Sequence, residues 1–184
     1  MRSLFALLAC AALLMGTGSA GFVPKLIGDA YVDEGAEDDN FGEEGTLWVS
    51  SEDGKPVMVT WMNFMNIGGK SSGEIESATL EIYVSDVEAS GEVSVFFSKE
   101  HVFEDTLTWS DELEYDDEAV DTLEIDVVGW YTFDATEIVK MAMDQCQSCP
   151  FSVVLMADDD ATISFTSKEG SEENKPVLEF TVFE

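Results

Sequence analysis

The chain has 184 residues, 45% of them hydrophobic and 11% aromatic, enough to bury one sizeable core and a natural length for one domain. Its 39 acidic residues face 8 basic ones, for a formal net charge of −31, and Arg2 is the only arginine. That balance excludes nucleic acid as a partner, which needs a basic footprint, and argues against bidentate capture of phosphate, sulfate or carboxylate, which is arginine chemistry.

Met1-Arg2-Ser3 is a short positive start, residues 4–15 form an apolar run, and Gly18-Ser19-Ala20 supplies small residues for cleavage. Residues 1–20 therefore read as a secretory signal peptide, and the run is shorter than the roughly 20 residues a membrane span requires. Two rival readings are weaker. Leu7-Leu8-Ala9-Cys10 as a lipoprotein box would bury Cys10 inside the apolar run, and a plastid-type signal ahead of Phe22-Val23-Pro24 conflicts with a chain that turns acidic by Asp29. Cleavage removes Arg2 and leaves seven lysines against 39 carboxylates, a net −32 over residues 21–184, which read as a single domain.

From there the dominant period is two. Alternation of β-branched and aromatic residues with polar ones predicts strands at 27–33, 46–50, 57–64, 78–84, 93–98, 122–127, 130–134, 151–156, 161–167 and 177–183. Turn residues separate them, among them Glu52-Asp53-Gly54-Lys55-Pro56, Ala89-Ser90-Gly91 and Asp158-Asp159-Asp160. Asp134-Ala135-Thr136-Glu137 opens one short helix, in which Ile138, Val139 and Ala142 recur at helical spacing. Strands of this number, without the long crossovers of a parallel sheet, indicate an all-β, two-sheet jelly-roll sandwich of about ten strands, its helix capping one open end.

Cys146 and Cys149 close that helix ahead of Pro150, and in a secreted chain they are expected as a local disulfide. A redox pair would open a helix rather than end one, and two thiolates cannot complete a structural zinc site. No Asn-x-Ser/Thr sequon is present. The acidic residues are threaded through strand-like segments, so they do not mark disorder. They serve either solubility in a saline or calcium-rich medium, or a function of their own in holding calcium, a mineral surface or polycations. Asp29, Asp33, Asp38, Asp39 and Asn40 cluster about the first loop as candidate calcium ligands, and Asp158-Asp159-Asp160 forms a second acidic loop. Neither has EF-hand spacing. His101, the sole histidine, stands at a strand end in Lys99-Glu100-His101-Val102 rather than beside a nucleophile, and no catalytic site is expected.

Blocks along nearly the whole of residues 21–184 carry a family likeness. They are Asp29-Ala30-Tyr31-Val32 with Asn40-Phe41-Gly42 and Leu47-x-Val49, then 75–84, then Phe103-Glu104-Asp105-Thr106-Leu107-Thr108-Trp109, then 129–136, and last Phe165-Thr166-Ser167-Lys168-Glu169 with Lys175-Pro176-Val177-Leu178. In order and spacing they resemble the disaggregatase-related (DNRLRE) domain, which is classed with the carbohydrate-binding modules. The resemblance implies a non-catalytic jelly roll on extracellular or cell-surface proteins that binds polysaccharide. Such domains usually carry Arg and Asp where this chain has Val59-Thr60-Trp61-Met62-Asn63, and Ser-Arg-Glu where it has Ser167-Lys168-Glu169. Ligands held by arginine, alginate-like ones in particular, are therefore not expected.

Sugar rings stack on exposed aromatics, so alternation selects the candidates. Leu47 and Val49 should face inward, turning Trp48 outward, and Tyr131 and Phe133 should share one face, with Trp130 on the other. Trp61 and Trp109 stand in blocks that the resemblance assigns to the core. The sequence thus points to a secreted module for extracellular or cell-wall polysaccharide, neutral or calcium-bridged. The alternative is an acidic matrix protein binding calcium, mineral or polycations.

Overall fold

The alternating segments form ten strands, described here from a computed structural model that covers residues 21–111 and 113–183. The expected signal peptide lies outside the described residues. In chain order the elements are β1 (Lys25–Asp33), β2 (Thr46–Glu52), β3 (Lys55–Met65), β4 (Ile75–Ala89), β5 (Gly91–Ser98), β6 (Asp121–Ile125), β7 (Gly129–Asp134), α1 (Thr136–Gln145), β8 (Pro150–Ala157), β9 (Thr162–Thr166) and β10 (Val177–Val182). Every pairing is antiparallel. One layer runs β1-β3-β8-β5-β6, and the other runs from β10 and β7 through β4 and β9 to β2. The two layers join at the β2–β3 hairpin, whose turn residues Asp53 (φ 51°) and Gly54 (φ 71°) both take the left-handed conformation that a two-residue hairpin matching strand twist requires. Among the described residues the result is a nearly closed β-sandwich of the jelly-roll kind with a single short α-helix.

Strand β4 holds the second layer together. Its first half pairs with β10, Thr79–Val84 with β7, and Val84–Ala89 with β9, with register breaks after Val84 and Val87. The main core lies between the layers and includes Leu47, Met62, Phe64, Phe133, Phe151 and Phe165, all almost wholly buried. Ile138, Val139, Ala142 and Met143 of α1 add to it, so the helix closes the core at one end. Its last turn is capped from outside the helix. Buried Asn66 donates through Nδ2 to the carbonyls of Ala142 and Cys146, both at 3.0 Å, and Cys146 is disulfide-bonded to Cys149 just beyond. Asn66→Ala would leave both carbonyls without that donor and is expected to cost about 2 kcal/mol, read as a lowered urea midpoint with unchanged slope.

A second, smaller cluster lies on the outer face of the first layer. Ala30, Val32, Val59, Trp61 and Val154 are covered there by Val102 and Leu107, which belong to the irregular segment between β5 and β6. Trp61 is therefore buried, at 4% exposure, but under this covering segment rather than between the sheets. Trp109 is half-buried at the rim of the same cluster.

Candidate functional site

Among its described residues the covering segment has no strand or helix of its own, and side chains from its neighbours hold it in place. Asn40 donates to the carbonyls of Glu104 (2.7 Å) and Leu107 (2.8 Å). Asn63 on β3 donates to the carbonyl of Val102 (2.9 Å) and to Nδ1 of His101 (3.0 Å). Gly42 lies so close to the Glu104 backbone that a Cβ there would meet its carbonyl oxygen at 1.9 Å, which accounts for glycine after Asn40-Phe41. At the far end Asp116 returns to the sheet by donating its N–H to the Phe97 carbonyl (2.8 Å).

Fastened this way, the segment leaves an open groove between itself and the hairpin end of the first layer. One part is a cleft of about 250 Å³ lined by Val59, Trp61, Trp109, Asp111, Leu113 and Tyr115 among others. The next, about 210 Å³, is lined by Gly54, Ser94, Phe96, Tyr115 and Asp158 among others. Both include Pro56, Tyr115 and Met156, so the two lie side by side along this groove with Tyr115 between them. Tyr115 is 39% exposed and stands edge-on to Trp61 (6.3 Å between ring centres) and Phe96 (5.7 Å). Asp111 is held by the N–H of Thr108 at 2.9 Å. Among the described residues, those lining the groove include the carboxylates Asp111 and Asp158 and no lysine. Aromatic faces with a few oriented acceptors suit the ring faces and hydroxyls of a sugar, and the absence of a cation leaves an anionic ligand uncompensated.

The two tryptophans selected by alternation lie elsewhere. Leu47 and Val49 are buried in the main core, as is Phe133. Trp48 is only half-buried, opposite Ser164 of β9. Trp130 is 49% exposed and edge-on to Tyr83 across the β7–β4 pair, on the outer face of the second layer. His101 is exposed beside Phe103, on a separate cleft of about 270 Å³ that also touches Asn63 and Glu104.

The candidate calcium ligands disperse. Asp33 accepts from the Gly35 N–H (2.8 Å) and so caps the short 3-10 turn after β1. Asn40 is committed to the covering segment, and Asp38 and Asp39 are exposed. In the second acidic loop Asp158 and Asp160 accept N–H groups from Asp159 (2.8 Å) and Gly54 (3.4 Å). Asp29 alone joins a convergent group, and its companions are Glu104 and Glu169, which composition did not reveal. Among the described residues these three are the one set of at least three potential ligands whose donor atoms meet.

Asp29 is 1% exposed; its Oδ2 accepts the Lys168 N–H at 2.8 Å, and its backbone N–H donates to Glu104 (3.1 Å). Burial pushes its carboxyl up to about 7 from 3.8, against the pull of the Lys168 N–H and helped by the neighbouring Glu169 carboxylate. In the absence of a bound cation, an acid raised in this way contributes stability below about pH 4 and loses it as pH rises to about 7. The Lys168 ammonium contacts Glu104 (3.2 Å) and Glu169. Burial works against its charge, yet these contacts prevail and hold it above the usual lysine value.

Residues 23–182 match the family model of carbohydrate-binding module family 96. No curated protein matches the chain.

Proposed function

Because this chain belongs to carbohydrate-binding module family 96, we propose that it is a secreted, non-catalytic module that holds extracellular or cell-wall polysaccharide in the groove of Trp61, Trp109 and Tyr115. The groove carries the reading: the exposed ring of Tyr115 and the half-buried one of Trp109, beside oriented carboxylates, suit a neutral sugar chain, and among the described lining residues the lack of a cation selects against uronates unless calcium bridges them. The order of blocks from Asp29-Ala30-Tyr31-Val32 to Lys175-Pro176-Val177-Leu178 supports the narrower assignment to disaggregatase-related domains. The signal-like residues 1–20 support export. Among the described residues no helix is long and apolar enough to cross a membrane.

Affinity electrophoresis through gels carrying neutral or anionic polysaccharide, with calcium or with chelator, tests this directly. A neutral polymer should retard the protein under both conditions, and an anionic one only with calcium. Absence of retardation in every gel would favour the alternative drawn from the charge of 39 carboxylates against seven lysines: an acidic matrix protein holding mineral or polycations. Trp48 and Trp130 remain the platforms of choice if retardation survives loss of the groove aromatics.

A further inference from the structure

We propose that Asp29, Glu104 and Glu169 bind one divalent cation, calcium by the chemistry of the set. Their donor oxygens lie within 4.8 Å of one another, the width across an ion whose oxygen ligands sit at about 2.3–2.6 Å. All three are carboxylates, hard donors that suit calcium rather than a thiophilic or imidazole-seeking metal.

Converging acids alone would mean little in so acidic a chain. Asp29 supplies the independent observation. Its side chain is buried, and Oδ1 has no hydrogen-bond partner, although Oδ2 has one. A buried carboxylate oxygen left without a donor is costly, and its neighbours Glu104 and Glu169 offer further acceptors rather than donors. The charges point the same way. The Lys168 ammonium reaches Glu104 and Glu169 and supplies one positive charge against three carboxylates. A divalent ion added to it balances the cluster. The side chains of Glu104 and Glu169 are 30% and 26% exposed, so the ion has a route from solvent, and water can complete its shell.

The three ligands come from β1, the covering segment and the turn after β9, so the ion ties together parts of the chain far apart in sequence. It anchors one end of the segment whose other end carries Trp109 and Tyr115. The site is separate from the groove, and its test does not depend on the glycan reading.

Calorimetric titration of calcium into chelator-treated protein should show one saturable site above the weak background of exposed carboxylates. Saturation should raise the melting temperature by several degrees. Glu104→Gln and Glu169→Gln should each weaken that step at least tenfold and remove the thermal shift, whereas Asp39→Asn, in the loop favoured by composition, should keep both. Absence of a saturable step in the parent protein, or its retention in either glutamine variant, would overturn the proposal. Glu104 also accepts the Asp29 N–H, so if Glu104→Gln fails to fold, Glu169→Gln decides.

Discussion

Replacing Trp61 with alanine should cost about 3–5 kcal/mol, the range for emptying a buried tryptophan site. For a domain whose whole stability is about 5–15 kcal/mol, that is a large share. The size follows from the position of the indole. Trp61 pairs with Ala30 of β1 on one side and Val154 of β8 on the other, and all three are buried in the cluster beneath the covering segment. Tyr115 stands edge-on to it from that segment. Removing the indole takes away the surface on which the segment rests, and β3, already paired on both sides, has little freedom to close the gap. Urea unfolding measures the effect, with Trp130→Ala as comparison. Trp130 is half-exposed and should cost less than about 1 kcal/mol. A loss below about 1 kcal/mol at Trp61 would mean that the segment is not packed on the sheet.

The same tryptophan shows what the sequence could and could not say. Where one face of a strand is buried, alternation is legible: Leu47 and Val49 against Trp48, and Phe133 against Trp130, separate as their period requires. Strand β3 is different, because Val59 and Trp61 pack under the segment while Met62 and Phe64 pack between the sheets. With both faces of β3 buried from Val59 to Phe64, its apolar residues do not sort to one side, and alternation alone could not show the second layer above it. The layer could not be traced from its own residues. Val102, Leu107, Trp109 and Leu113 follow neither a strand nor a helix period. Strand β4 extends to Ala89 because its end pairs with β9, although Ser85-Asp86-Val87-Glu88 has no strong strand pattern.

The carboxylate cluster was harder still to foresee. Local density of acid marks Asp29, Asp33, Asp38, Asp39 and Asn40 alike, yet a solvated loop can spread its charges, and of these five only Asp29 joins the cluster. Convergence came instead from pairing. The β1–β3 register sets Asp29 opposite Met62, and its contacts reach 75 residues along the chain to Glu104 and 139 to Lys168. The phase of the strand gave no clue, because Asp29 alternates with the core residues Ala30 and Val32, and only the register opposite buried Met62 makes it a charge that needs a partner.

The largest effect on function is expected from the double variant Trp109→Ala/Tyr115→Ala, which should lower polysaccharide affinity at least a hundredfold. Central aromatic anchors commonly cost about 2 kcal/mol or more when truncated, and each 1.4 kcal/mol is tenfold. Both side chains line the same groove, so their effects need not add in full, and a hundredfold loss is the lower expectation. Tyr115 is 39% exposed and Trp109 lies at the rim of the smaller cluster, so the fold should lose much less than it does at Trp61. Retardation in affinity gels, measured against polymer concentration, gives the affinity, and the melting curve confirms that the variant is folded. Neither substitution alters a charge. A polymer held only by the acidic surface, directly or through calcium, would bind the variant as it binds the parent, whereas one stacked on the groove aromatics would be released. Retained affinity here, with loss in Trp130→Ala, would transfer the site to the face of β7 and β4, where the exposed indole stands against Tyr83.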